Sequence, residues 1–219
     1  MSLRPPVLAQ LHCGFLVRTA QAKFALAAVL LAVLHLDRRW APISPVSSML
    51  SDYALCPGWW MWAAALVLTS AGSAVLLVAL RRRGVLAGWR TPVLALWCVS
   101  LLAVAIFTKD PQGGAVTATG KVHLYAAAVS CLSLPIAGWT LGRQHREHPA
   151  WRRFAAWSRR LALGAIPFYL PFIVPFAVNV LFGGHLPSVG TGLVERLMLA
   201  LEIGLLVILG FWASSARRA

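Results

Sequence analysis

Four ionisable residues of the kinds that carry acid–base catalysis fall in polar gaps between apolar runs or at the start of an apolar run. Asp52 lies in the stretch LSDYALCPGWWMW, Asp110 and His123 lie in FTKDPQGGAVTATGKVH, and Glu195 opens the last apolar run. Partial burial pushes a carboxylic acid towards its protonated form, and a histidine gains or loses its proton near neutral pH. We therefore predict that Asp52, Asp110, His123 and Glu195 are catalytic acids or bases.

Other polar side chains near these four groups are predicted to hold a substrate. Ser51 and Tyr53 flank Asp52 and are expected to position it, and Glu202 follows Glu195 by two helical turns on the same helix face. An ionisable group within a membrane helix is costly and normally faces the bundle interior, which leaves Glu202 either functional or part of a buried polar network. The predicted substrate-binding residues are Ser51, Tyr53, Thr117, Arg196, Glu202, Asn179 and His35.

Several of these groups also have a structural interpretation, which the sequence leaves open. Asp52 is placed to cap the second apolar helix, and Glu195 with Arg196 is placed to form a local ion pair at the start of the last one. His123 is equally consistent with an interfacial anchor, and His35 with the end of a helix. Asparagine caps a helix about as well as aspartate but exchanges no proton, so that substitution separates the two interpretations of Asp52.

The elements that must position these residues are long apolar runs. The 219 residues are 59% hydrophobic and 12% charged, whereas about 25% charged residues is usual in a soluble domain. Most runs approach the roughly 20 residues that a helix needs to cross a bilayer, and they lack the period of two of a strand. The runs are residues 22–36, 59–80, 92–108, 122–141, 161–182 and 193–212. We predict one all-α domain over residues 1–219, an integral membrane bundle of six transmembrane helices.

The basic residues predict the orientation of this bundle. The net charge is +14, and most of the 20 Lys and Arg residues fall in connections that alternate with those holding the candidate catalytic groups. Positive connections mark the cytoplasmic side, so we predict cytoplasmic termini, an outer candidate site and a cell membrane, such as a bacterial inner membrane. This distribution argues against nucleic acid as a partner. Residues 142–160 are predicted to form a basic cytoplasmic linker suited to anionic lipid headgroups.

Three motifs in this order resemble a known membrane family. They are SDYAL at residues 51–55, TKDP at 108–111 followed by Thr117, Gly120 and His123, and GLVER at 192–196. Over roughly residues 33–209 the chain is similar to a bacterial six-helix membrane family known as domain of unknown function 998. Leu50 and Glu195 stand where that family usually has isoleucine and often glutamine, and the segment APISPVSSM lengthens the first outer loop. A more distant similarity, to eukaryotic six-helix families linked to autophagy modulation and GPI-anchor lipid remodelling, implies lipid-related work.

Two classes of function fit these observations. The first is a membrane-embedded enzyme that applies acid–base chemistry to a hydrophobic substrate, by hydrolysis or transfer on a lipid or by acid-started cyclisation of an isoprenoid-like chain. The second is a non-catalytic transporter, channel or partner protein whose outer polar residues are structural. Membrane lipids and a hydrophobic small molecule are the expected partners. The sequence requires no cofactor and leaves its identity open; Asp and His ligands suit a divalent metal, although no strong metal-binding motif is present.

Overall fold

The computed structural model describes residues 7–111, 113–183 and 191–216, and the regular structure in those ranges is helical throughout. Two short 3₁₀ helices, Leu50–Leu55 and Ile166–Tyr169, interrupt the α-helices. The α-helices are α1 Val7–Leu36, α2 Trp59–Arg82, α3 Arg90–Ile106, α4 Ala118–Gln144, α5 Arg152–Gly164, α6 Leu170–Phe182 and α7 Thr191–Ser215. The prediction of an all-α chain is confirmed for these residues.

Four of these helices are long and apolar enough to cross a membrane. They are the Cys13–Leu36 part of α1 together with α2, α4 and α7. The apolar helix α3, Arg90–Ile106, has 17 residues and is shorter than these four. The lengths and composition of the helices make the chain a membrane protein with transmembrane helices.

The apolar run 161–182, predicted as one transmembrane helix, does not form a single continuous helix, because its prolines divide it. The run contains the end of α5, the second 3₁₀ helix and the whole of α6. Pro167 begins the interruption, and Pro175 lies inside α6. Each proline lacks the amide that a helix needs and disfavours helical geometry in the residue before it. The basic segment 142–160 is also largely helical, since it includes the end of α4 and most of α5.

Helices that follow one another in sequence pack side by side from α1 to α5, and α7 packs against α5, α1, α2 and α4. Small residues permit the closest of these approaches: a Cβ at Gly138 of α4 would lie 2.6 Å from Leu205 of α7. Trp97 and Trp212 are the largest fully buried side chains of the described core. This packing places the first 3₁₀ helix against α2 and the start of α7, where the candidate site lies.

Candidate functional site

The first 3₁₀ helix is organised around Asp52, which occupies its third position. The Met49 amide donates to Asp52 Oδ2 at 2.7 Å, and the Asp52 amide donates to the Met49 carbonyl at 3.1 Å. An acid at this position satisfies an amide that the first turn leaves without a helical partner. The α2 helix starts only after Gly58. The interpretation of Asp52 as the cap of the second apolar helix is therefore wrong, because Asp52 caps the 3₁₀ helix.

Lys109, in the connection between α3 and α4, forms an ion pair with Asp52. Its Nζ lies 2.5 Å from Asp52 Oδ1 and donates to Ser51 Oγ at 3.3 Å. The Lys109 and Asp52 side chains are only 11% and 14% exposed, so water screens their attraction less than it would at an open surface. Ser51 thus accepts from another segment of the chain and positions Lys109 as well as its own turn.

Glu195, near the start of α7, binds the same 3₁₀ helix. The Leu50 amide donates to Glu195 Oε2 at 2.5 Å, so Asp52 and Glu195 accept from the neighbouring amides of Met49 and Leu50. Gly192 allows this close approach, because a Cβ at that position would collide with the Ser48 carbonyl. Two carboxyl groups predicted to be catalytic are therefore brought to one turn of the backbone.

Arg196 joins the first 3₁₀ helix to α1 and α7. Its guanidinium donates to the Ser48 carbonyl at 2.8 Å, to Tyr53 Oη at 3.2 Å and to His35 Nε2 at 3.0 Å. His35 Nδ1 lies 2.8 Å from the Leu31 carbonyl, which only accepts, so Nδ1 carries the proton and Nε2 is the acceptor. The guanidinium also lies 5.7 Å from the centre of the Tyr53 ring. The main contacts of Arg196 are therefore not a local ion pair. They are hydrogen bonds that join α1, the first 3₁₀ helix and α7.

Asp110 closes the connection between α3 and α4. Thr117 donates its hydroxyl to Asp110 Oδ1 at 2.7 Å and its amide to Oδ2 at 2.9 Å. The same hydroxyl accepts from the Gly120 amide at 3.0 Å, which makes Thr117 the N-cap of α4. The hydrogen bonds from Thr117, chiefly that of its hydroxyl, lower the pKa of the Asp110 carboxyl. Asp110 is therefore ionised at neutral pH and suits a positioning role better than that of a general acid.

His123 has a buried ring nitrogen with no hydrogen-bond partner. Its Nδ1 lies 2.7 Å from the Phe107 carbonyl, which requires the proton on Nδ1 and leaves a lone pair on Nε2. The residue is 4% exposed, and Nε2 is fully buried without a partner. Lys109 and Asp110 are the charged side chains that act on the ring. His123 thus offers what a general base needs: a fixed tautomer and a free lone pair.

Two predicted binding residues lie apart from these groups. Glu202 lies seven residues beyond Glu195, a rise of about 10 Å along α7, and it is buried with 5% exposure. Asn179 belongs to α6, and its side chain is outside the part of the chain that the structure describes.

The remaining predicted residues form three adjoining groups, which we call the outer cluster after the side on which the sequence predicts them to lie. Lys109 connects two of the groups, because it pairs with Asp52 and acts on His123. The three groups of the outer cluster are Ser51, Asp52 and Glu195; His35, Tyr53 and Arg196; and Asp110, Thr117 and His123. Within the described ranges, no three His, Cys, Asp or Glu side chains are arranged to hold a metal ion. That these residues surround one cavity stays a prediction.

Lys109 is a candidate functional residue that the sequence analysis did not include. It lies beside Asp110 in a segment predicted to face outwards, where basic residues are scarce. That unusual placement was the feature of the sequence that could have identified Lys109 as a candidate. Its pairing with Asp52, 57 positions earlier, depends on how two connections fold together and has no local pattern.

One family model matches most of the chain. The family, described as "Protein of unknown function (DUF998)", matches residues 24–212. No curated protein and no solved structure matches the chain.

Proposed function

The chain belongs to DUF998, a family whose description names no reaction, and from this premise we propose that it is a membrane-embedded enzyme. It uses acid–base chemistry at the outer cluster to hydrolyse a hydrophobic lipid substrate or to transfer a group from it. The observation that carries this proposal is the buried Nε2 of His123, which is held ready as an acceptor but has no partner. An unused buried lone pair is costly to a fold, and functional sites are where such groups concentrate.

In this proposal His123 Nε2 removes a proton from water or from a substrate hydroxyl, and the oxygen forms a bond to the substrate as the bond to the leaving group breaks. The protonated ring then returns the proton to the leaving group. Lys109 stabilises negative charge that develops on the substrate, and Asp52 and Ser51 hold the ammonium group in place. Asp110 and Thr117 fix the start of α4, which carries His123. No metal or other cofactor is part of this scheme.

The contacts of the outer cluster favour hydrolysis or transfer over acid-started cyclisation. Cyclisation needs a protonated acid, whereas Asp52 is paired with Lys109 at 2.5 Å. It also needs open aromatic faces for cationic intermediates, whereas the Tyr53 ring already faces the guanidinium of Arg196. The free group of the outer cluster is a base, so the reaction we propose begins with removal of a proton.

We propose the orientation that the basic residues indicate: six membrane crossings with both termini in the cytoplasm of a bacterial inner membrane. The division of run 161–182 by prolines makes its crossing an irregular one, formed by the end of α5, the second 3₁₀ helix and α6. A reporter enzyme fused to the C-terminus is expected to be active only in the cytoplasm, and activity only outside the cell would refute this arrangement.

The second candidate is a non-catalytic membrane protein whose outer cluster is structural. The contacts of Arg196 favour it, since this one side chain joins α1, the first 3₁₀ helix and α7. The two candidates differ in what they require of His123. A structural cluster needs only the Nδ1 donor of His123, whereas an enzyme needs the Nε2 lone pair.

His123→Asn separates these candidates, because the asparagine amide replaces the Nδ1 donor but supplies no basic nitrogen. Total lipid extracts of cells producing the wild type or the variant are compared by mass spectrometry at equal protein levels. We expect lipid species that change only with the wild type, and a turnover about 10²-fold or more slower in the variant. Asp37→Asn, at an exposed ion pair with Arg39, is the matched control and should behave as the wild type. Identical extracts from both proteins would favour the structural candidate.

A further inference from the structure

Glu202 is a buried acid in α7 that the proposed chemistry does not use. It is 5% exposed, and its Oε1 is fully buried without a hydrogen-bond partner. A carboxyl group without a partner in a membrane bundle is costly to keep. An ionisable residue within a membrane helix is therefore a candidate functional site.

The immediate neighbours of Glu202 do not satisfy it. Tyr169, at the end of the second 3₁₀ helix, and Cys131 of α4 are the titratable groups that interact with Glu202. The Tyr169 hydroxyl donates to the Cys131 carbonyl instead, so its proton is already engaged. The Glu202 carboxyl therefore faces a tyrosine whose hydrogen bond is directed away from it.

No counter-charge for an ionised Glu202 appears among these neighbours. The nearest basic residue on the same helix is Arg196, about 9 Å further along the axis, and its guanidinium is engaged by Ser48, Tyr53 and His35. An isolated carboxylate in apolar surroundings takes up a proton rather than remaining charged. In the neutral form that such surroundings favour, the carboxyl has one O–H donor and one carbonyl acceptor.

The second 3₁₀ helix, which ends at Tyr169, is partly open to the surroundings of the bundle. Ile166, its first residue, and Leu170, which follows it, are more than half exposed. Pro167, its second residue, supplies no amide for a continuous helical ladder. An apolar chain in the bilayer can therefore lie against the segment whose Tyr169 interacts with Glu202.

We propose that Glu202 is a binding site within the membrane for the hydroxyl group of a long-chain lipid alcohol. A hydroxyl accepts the proton of the acid and donates to its carbonyl oxygen, so it satisfies both functions of the carboxyl at once. An anionic headgroup finds no cation there, and an ammonium group would lose its hydration for a neutral partner. This site goes beyond the outer cluster and holds whether or not His123 is catalytic.

The test uses dicyclohexylcarbodiimide, an apolar reagent that modifies protonated carboxyl groups, on the purified full-length protein in detergent. Mass spectrometry of peptides locates the modified residue, and Glu202→Gln is the variant that identifies the signal. Cetyl alcohol is the probe, and its methyl ether is the matched control, because the ether has the same chain but no hydroxyl. We expect modification at Glu202, slowed about tenfold by the alcohol at roughly ten times its dissociation constant and slowed much less by the ether, whose oxygen accepts the acid proton but donates none.

A second measurement tests whether cetyl alcohol binds at Glu202. Cetyl alcohol should raise the thermal unfolding temperature of the wild type but not that of Glu202→Met, which fills the same space without a polar group. Equal protection by the methyl ether, equal stabilisation of Glu202→Met, or failure of the reagent to modify Glu202 in the folded protein would each overturn the proposal.

Discussion

Removing the charge of Lys109 or of Asp52 tests the contact that connects two parts of the outer cluster. At 2.5 Å and an effective dielectric constant of about 20, Coulomb's law gives about 7 kcal/mol of attraction, much of which desolvation of both charges cancels. Fully buried pairs lose about 3–5 kcal/mol when one partner is removed, and exposed pairs lose less than about 1 kcal/mol. With 11% and 14% exposure, we expect Lys109→Met to lower the free energy of unfolding by about 2–3 kcal/mol.

The assay is a double-mutant cycle of Lys109→Met, Asp52→Asn and the two together. Asparagine keeps an oxygen for the Met49 amide, so the substitution removes the charge and spares the 3₁₀ cap. Unfolding is followed by circular dichroism as the denaturing detergent fraction rises in mixed micelles. We expect the double variant to be more stable than the sum of the single changes predicts, with a coupling energy of about 2 kcal/mol.

Additive effects, within about 0.5 kcal/mol, would refute the reasoning, because residues in contact do not behave as independent sites. The control is Arg39→Met, which breaks the ion pair with Asp37 where the arginine is 86% exposed. That substitution should leave the unfolding curve unchanged. A loss there as large as that of Lys109→Met would show that the assay reports general charge removal.

Four other substitutions have expected outcomes that unfolding measurements test. Glu202→Met should raise the free energy of unfolding by about 1–3 kcal/mol, because an unsatisfied buried polar group is replaced by an apolar one; a lower stability would mean that the carboxyl has a partner. Gly192→Ala should destabilise markedly, since its Cβ meets the Ser48 carbonyl, whereas Gly210→Ala, in open space, should gain about 0.5–1 kcal/mol. Burial lowers the pKa of His145 from 6.5 in the folded protein. The neutral ring therefore stabilises the fold above pH 6.5. This stabilisation is lost as the pH falls through the lower pKa of the folded state. His145→Gln keeps a donor for the Val85 carbonyl, now 2.8 Å from Nε2, and should flatten that dependence; an unchanged slope would assign it elsewhere.

Long apolar runs predicted the helices well where nothing interrupts them. Run 59–80 corresponds to α2 Trp59–Arg82, and run 193–212 to α7 Thr191–Ser215, because apolar length alone determines a crossing helix. Run 161–182 was less predictable: its length indicated one helix, whereas the 3₁₀ interruption Ile166–Tyr169 depends on its prolines and on contacts with α7 and, through Tyr169, with α4.

The candidate site was predictable in its residue types and not in its pairings. The polar residues around Asp52 marked the right segment, yet its hydrogen bond to Met49 and its ion pair with Lys109 arise from a 3₁₀ helix with no hydrophobic period of its own. His123 was predicted as a catalytic group, but the engagement of its Nδ1 by Phe107 depends on where α3 ends. Local capping, such as that by Thr117, can be predicted from the sequence. Contacts between separate connections cannot.

The position of Arg196 has a consequence for how the protein is made. Its partners His35, Ser48 and Tyr53 are synthesised about 140–160 residues before it. They have no hydrogen bond to Arg196 until α7 has been made. During synthesis, at about 5–20 residues per second, about 7–30 seconds therefore pass between the synthesis of these partners and that of Arg196. The hydrogen bonds that join α7 to them can form only after that interval.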